Sequence, residues 1–148
     1  MKMGFWFMVS YQTLEWLKFA RRDIDAAQDL FTKQQNPRHR PIEIILYHCQ
    51  QGGEKALKAF IVQNGMLTRN LQVHDMQVLR RACAQWSTQF DTARIIQHCA
   101  NLDPFSVIVR YPFHNIFVDS TDAKRGLNSA KRVYDFVCEQ LGLSKVYV

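Results

Sequence analysis

Apolar residues recur at steps of three and four along most of the chain, which is the period of an α-helix. This spacing predicts a first helix from Tyr11 to about Lys33, with an inner face of Leu14, Leu17, Ile24, Ala27 and Phe31. Prolines interrupt the pattern, and Pro41 is well placed as the first residue of a second helix that runs to about Gln63. The inner face of the second helix holds Ile42, Ile45, Cys49, Ala56, Ala59 and Phe60, and Asn64-Gly65 is a good C-terminal stop.

Two more amphipathic helices are predicted in the middle of the chain. A third helix should begin near His74-Asp75, because Asp75 is favourable at the positive end of a helix dipole. Its buried stripe is predicted to hold Met76, Leu79, Cys83 and Trp86. A fourth helix is expected from about Thr88 to Leu102, with Ile95, Ile96, Cys99 and Leu102 as its apolar residues.

The segment from Asp103 to Asp119 does not follow the helical pattern of the rest of the chain. Pro104 and Pro112 flank the β-branched run 107–109, which is compatible with a short strand, but a lone strand has no partner in a helical chain. We interpret the segment as an extended connection packed on the bundle. The last helix is capped by Asp119 or Ser120 and ends at Gly142, and its inner face holds Ala123, Leu127, Ala130, Tyr134, Val137 and Leu141.

The pattern therefore predicts an all-α fold, an up-and-down bundle of four to five helices. We expect a single domain over residues 10–142, preceded by an apolar N-terminal extension, residues 1–9. The apolar run Gly4-Phe5-Trp6-Phe7-Met8-Val9 is too short to span a bilayer and lacks a small-residue cleavage site. A misassigned start codon or a segment that docks on a partner explains this run better than a signal does, and no other stretch approaches transmembrane length.

Composition adds a net charge of +6, from 19 Lys and Arg against 13 Asp and Glu in 148 residues. A basic domain attracts polyanions, so RNA, DNA or a nucleotide phosphate is a reasonable partner, while a charge that serves solubility alone is the equally weighted alternative. Arg21-Arg22 and Arg80-Arg81 are either phosphate contacts or solvated side chains.

The four cysteines are Cys49, Cys83, Cys99 and Cys138, and no C-x-x-C motif is present. They are typical of buried free thiols in a cytoplasmic protein. The pairs His48-Cys49 and His98-Cys99 do not indicate a metal site, because adjacent helical residues point about 100° apart and cannot clamp one ion from one face. We expect no metal and no cofactor.

Residues 47–60 read Tyr47-His48-Cys49-Gln50-Gln51-Gly52-Gly53-Glu54-Lys55-Ala56-Leu57-Lys58-Ala59-Phe60. This stretch resembles the second helix of the HEPN family, which reads close to C-Q-Q-A-x-E-K-x-L-K-A. The first helix of the family is similar to Trp16-Leu17-Lys18-Phe19-Ala20 with Asp23 and Ala26. Its T-H-D-L turn is similar to Val73-His74-Asp75-Met76, and its R-Y-P segment to Arg110-Tyr111-Pro112. Gly52-Gly53 stands where the family has a small Ala pair, and such a pair indicates close approach of another helix. The resemblance covers roughly Leu14 to Leu141 and implies a helical, commonly dimeric, nucleotide-binding domain.

Catalytic HEPN ribonucleases carry an Arg and a His separated by four to six residues, whereas three residues separate Arg110 and His114 here. The resemblance implies that Arg110 holds a scissile phosphate and that His114 transfers a proton in metal-independent RNA cleavage. In the family, two such pairs meet across a dimer. The alternative is an Arg110 that binds phosphate or carboxylate beside an incidental His114.

Four residues are predicted to bind nucleotide or RNA: Arg110, Tyr111, Lys55 and Lys58. The alternative for Glu54, Lys55 and Lys58 is an exposed helical face, which routinely carries such charges. His74-Asp75 is more typical of a helix start than of a chemical site.

The sequence thus predicts a HEPN-like module that binds nucleotide or RNA, as the partner of a minimal nucleotidyltransferase in a toxin–antitoxin-type pair. Two alternatives stay open: a metal-independent endoribonuclease that uses Arg110 and His114, and a purely structural dimerisation module. We expect a cytoplasmic homodimer that does not engage a membrane.

Overall fold

The computed structural model describes residues 8–108 and 117–147 of the chain, and these residues form helices, turns and loops but no strand. Five helices have nine residues or more and a sixth has a single turn. Their bounds are α1 (Tyr11–Lys33), α2 (Ile42–Asn64), α3 (Met76–Ala84), α4 (Ala93–Leu102), α5 (Phe105–Ile108) and α6 (Ser120–Gln140). The predicted all-α bundle is confirmed. None of the described helices is long and apolar enough to cross a bilayer.

Local sequence explains where three of the helices begin and where one of them ends. The Ser10 hydroxyl accepts a hydrogen bond from the Thr13 backbone at the start of α1, and the Asp75 carboxylate accepts from two backbone N–H groups of α3. Asp119 and Asp122 form a reciprocal capping box at the start of α6. Gly142, at φ 73°, follows the end of α6.

Helix α2 is the centre of the bundle and contacts each of the other five helices. Three hydrogen bonds connect its end to the start of α1. The side-chain oxygen of Gln63 accepts from the Ser10 backbone N–H and the Thr13 hydroxyl, and the side-chain NH₂ of Gln63 donates to the Met8 carbonyl oxygen. Because the end of α2 lies beside the start of α1, the two helices run antiparallel. The buried residues of α2 point in all directions around its axis, as expected for a helix enclosed by others.

Gly52 and Gly53 let three neighbouring helices approach α2 closely, as the sequence indicated. A Cβ atom on Gly52 would lie 2.5 Å from Cγ1 of Ile24 in α1. A Cβ atom on Gly53 would lie 2.7 Å from Cδ1 of Leu102 in α4 and 3.0 Å from Cε of Met76 in α3. The two glycines therefore face different neighbours.

Two predictions about the inner faces were wrong. Trp86 is 42% exposed, because α3 ends at Ala84 and Trp86 lies in the following turn. Leu14 is 47% exposed, at the edge of the α1 stripe where it borders a cleft with Leu143 and Val146. The four cysteines are buried and free, as predicted.

The region predicted as one helix from Thr88 to Leu102 is divided. A 3₁₀ turn spans Thr88–Asp91, and α4 begins at Ala93. The break has a side-chain cause, because the Phe90 carbonyl oxygen accepts from the Arg80 guanidinium and the Asp91 carboxylate pairs with the same group. Arg80 is therefore buried in an ion pair, which corrects its interpretation as a solvated or phosphate-binding side chain.

The connection predicted as extended between Asp103 and Asp119 contains one helical turn, α5, at its start. Asp103 precedes this turn, and its carboxylate accepts a hydrogen bond from the Met76 backbone at 2.8 Å, which anchors the segment to the start of α3. Residues 109–116, like residues 1–7 of the predicted N-terminal extension, lie outside the described part of the chain.

Candidate functional site: two polar clusters and a groove beside α2

A buried carboxylate lies at the centre of the first polar cluster. Glu54 of α2 is 2% exposed, and its Oε1 atom lies 2.6 Å from Nδ1 of His74 and 3.6 Å from Nζ of Lys58. Lys58 is itself buried, and its ammonium lies 5.9 Å from the centre of the Trp16 ring. The prediction that Glu54 and Lys58 lie on an exposed helical face was therefore wrong, because α2 has neighbours on every side.

Contacts of neighbouring side chains with the backbone position His74 beside this carboxylate. The Gln50 side-chain amide donates to the His74 carbonyl oxygen at 3.2 Å, and Asp75 next to it caps α3. The imidazole is half exposed, and its Nε2 atom has no hydrogen-bond partner within the described part of the chain. An imidazole with one nitrogen on a carboxylate and the other open is a proton-transfer arrangement.

A second cluster joins α1 and α2 on the α1 side. Asp23 is mostly buried, and its carboxylate lies 2.8 Å from Nδ1 of His48 and 2.5 Å from Nζ of Lys55. The Lys55 ammonium is thereby fixed at the surface between the two helices, with a quarter of its side chain exposed.

Lys55 also lines a groove of about 810 Å³ between the start of α1 and the end of α2. Most of the groove is apolar and aromatic, with lining residues that include Tyr11, Trp16, Phe19, Lys55, Val62 and Met66. Tyr11 is 76% exposed and Met66 75% exposed, so the rim presents large apolar side chains to solvent. The Arg22 guanidinium lies 5.1 Å from the centre of the Phe19 ring and adds a cation beside the groove.

This arrangement can stack planar rings and place cations next to them, which suits nucleobases and their phosphates. The sequence comparison agrees with this chemistry, because the HEPN domain family model matches residues 13–141, most of the chain. The chain belongs to the HEPN domain family. Neither the comparison with curated proteins nor the comparison with solved structures found a match. Membership supports a nucleotide- or RNA-binding helical module, as the resemblance implied.

The predicted site residues of this HEPN chain have different outcomes. Lys55 lies in the groove, whereas Lys58 is enclosed beside Glu54. Arg110, Tyr111 and His114 lie outside the described residues, so their roles stay predictions. The last described turn before them, α5, packs on α2.

Sequence reasoning missed the Glu54–Lys58–His74 cluster, which it divided into surface charges and a helix start. A signal was present, because the apolar and small residues of α2 around Glu54 and Lys58 are spread over the whole circumference of the helix and not along one stripe. A charged residue that falls on a buried face of such a helix needs a partner.

The histidine–cysteine pairs of this HEPN chain form no metal cluster in the structure as described: no three His, Cys, Asp or Glu side chains converge. Burial raises the pKa of the Cys49 and Cys99 thiols to about 12 each, so both remain protonated.

Proposed function

We propose that this HEPN chain binds single-stranded RNA or nucleotides in the groove between α1 and α2. The observation that carries the proposal is the combination of three aromatic side chains, Tyr11, Trp16 and Phe19, with the fixed ammonium of Lys55. Bases stack on aromatic side chains without regard to sequence, while cations track the backbone. Arg110 and Tyr111 are proposed to contribute to nucleotide or RNA binding, as the family resemblance implies.

The test is the affinity for a fluorescently labelled single-stranded RNA, measured by anisotropy at several salt concentrations. Binding should weaken steeply with salt, since neutralised phosphates release counterions. Tyr11→Ala and Phe19→Ala should each weaken binding by about 1–3 kcal/mol, the contribution of one stacked base. Ile44→Ala, at an apolar residue of α2 that is 52% exposed, is the matched control and should bind normally. Full affinity in both groove variants would contradict the proposal.

The biological setting proposed for this module is a toxin–antitoxin-type pair with a minimal nucleotidyltransferase. The family resemblance suggests this partner, and the exposed Tyr11 and Met66 at the groove rim supply apolar surface for a protein contact. Co-expression with a nucleotidyltransferase encoded beside the chain should give a complex that survives gel filtration. Separate elution of the two proteins would argue against the pairing.

The chain is further proposed to form a homodimer, as family resemblance and the exposed apolar rim suggest. Sedimentation at micromolar concentration should give twice the 17.4 kDa monomer mass. A stable dimer that neither binds nor cleaves RNA would favour the purely structural module.

A second candidate function is metal-independent endoribonuclease activity through Arg110 and His114. The His74–Glu54 pair favours this candidate, because Glu54 of α2 holds the imidazole of His74 beside the helix on which α5 packs. Arg110 would hold the scissile phosphate, and His114 would move the proton at the 2′-hydroxyl or at the leaving oxygen. Attack by the 2′-hydroxyl predicts a 2′,3′-cyclic phosphate product and activity in chelator.

A further inference from the structure

A separate cleft of about 250 Å³ lies between α4 and α6, on residues to which neither the HEPN motifs nor the groove assign a role. Its charged and titratable lining residues are Arg94, His98, Arg132, Asp135, Glu139 and Lys145. The volume is below the range of about 300–1,000 Å³ typical of pockets for drug-sized ligands, so it fits a small group better than a whole nucleotide.

Two guanidinium groups in this cleft are not paired with the acidic side chains around them in the described part of the chain. Arg94 and Arg132 have no ion pair or hydrogen bond in the described part of the chain. Lys145 is 3.5 Å from Glu139, so these two charges compensate each other. The buried Asp135 carboxylate is occupied by the backbone N–H groups of residues 146 and 147, at 2.8–3.1 Å.

His98 lies one helical turn after Arg94 in α4, and a hydrogen bond connects its ring to α6. Its Nδ1 atom lies 3.1 Å from the hydroxyl of Ser129, which also accepts a hydrogen bond from Asn101 at 3.0 Å. Both bonds are satisfied when the single hydroxyl proton is donated to Nδ1, which places the imidazole proton on Nε2 as a further donor. Partial burial lowers the His98 pKa, and Arg94 and Arg132 lower it further. Both guanidinium groups therefore act on the same imidazole.

We propose that this cleft binds a phosphate group, held by the guanidinium groups of Arg94 and Arg132 and by the imidazole of His98. A planar guanidinium offers paired N–H donors that match phosphate oxygens, and two of them supply the charge that a phosphate dianion needs. The proposal does not rest on RNA binding in the groove.

The experiment is a titration of the whole chain with inorganic phosphate, followed by NMR of the histidine rings. Bound phosphate should raise the His98 pKa and shift its ring signals saturably, because an anion favours the charged imidazole. Arg94→Gln and Arg132→Gln should each weaken binding by about 10-fold or more, as expected for loss of a hydrogen bond to a charged group. Arg81→Gln removes an exposed arginine from α3 and is the matched control.

Two further ligands separate the sources of the phosphate. A nucleoside 5′-monophosphate that binds as inorganic phosphate does would identify a site for the phosphate group alone, and tighter binding would identify a nucleotide terminus. An RNA without a terminal phosphate that shifts the His98 signals in the wild type, but not in Arg132→Gln, would identify an internal RNA phosphate.

The groove variants keep this test independent of the proposed function. Tyr11→Ala and Phe19→Ala should leave phosphate binding unchanged, even if they abolish RNA binding. The proposal is overturned if His98 does not respond to phosphate, or if Arg81→Gln weakens binding as much as Arg94→Gln and Arg132→Gln do.

Discussion

The imidazole of His74 lies directly against the carboxylate of Glu54, with 2.6 Å between Nδ1 and Oε1. One residue comes from the loop before α3 and the other from the middle of α2, so the contact fixes the α3 entrance to the central helix. Because Glu54 also faces Lys58 at 3.6 Å, the carboxylate contacts a half-exposed imidazole and a buried ammonium together.

Neutralising Glu54 should destabilise the fold. We expect Glu54→Gln to lower the free energy of unfolding by about 3–5 kcal/mol, because it leaves the buried Lys58 ammonium without its counter-charge. Urea denaturation followed by circular dichroism measures the change. The double variant Glu54→Gln/Lys58→Met removes both charges and should recover most of the loss. A double variant no more stable than Glu54→Gln would show that the ion pair is not the cause.

Replacing each of the two glycines of α2 by alanine should lower the free energy of unfolding by a different amount. Gly52→Ala should cost about 1–2 kcal/mol, because a Cβ atom would meet the inner Cγ1 atom of Ile24 and overpacking outweighs the gain in helix propensity. Gly53→Ala would meet the chain ends of Leu102 and Met76, which can move, so its cost should be smaller. Thermal or urea unfolding of both variants decides the order, and an equal or larger loss for Gly53→Ala would contradict it.

If the chain is a ribonuclease, Arg110→Ala and His114→Ala should each reduce RNA cleavage by about 10²–10⁴-fold, because phosphate positioning and proton transfer are separate roles. Helicity and dimer mass should not change. His39→Ala, at an exposed histidine, is the control. Full activity of His114→Ala would show that another residue cleaves, and an inactive wild type across varied RNAs would favour the non-catalytic module.

The lowered pKa of His98 predicts a pH dependence of stability. The folded chain takes up the His98 proton less readily than the unfolded chain, so stability is lost as the pH falls below the ordinary value of 6.5 towards the folded pKa. Between pH 7.5 and pH 5.5, His98→Gln should therefore lose less stability than the wild type. Urea midpoints at the two pH values measure this difference. His39→Gln should behave as the wild type does, and an equal effect of both variants would contradict the assignment to His98.

Local signals in the sequence were enough to predict the helices and several of their ends. The bounds of α1 follow from the spacing of its apolar residues. The Asp75 cap of α3 and the Asp119 cap and Gly142 end of α6 follow from residues that act on the nearest turn of backbone. The four motifs predicted the family for the same reason, because each is a short run of adjacent residues. The Arg110–His114 pair was visible in the sequence too, as a spacing.

Burial and long-range pairing were decided by the tertiary structure. The sequence placed Glu54 and Lys58 on a surface, because a helical period cannot tell how many neighbours a helix has. The division of the fourth predicted helix needed Arg80, a residue of α3, to reach the Phe90 carbonyl. The groove at Lys55 and the cleft at Arg94 and Arg132 each combine residues that are distant along the chain. Helix periodicity fixes which residues share a face, but the packing of helices against one another fixes which faces meet.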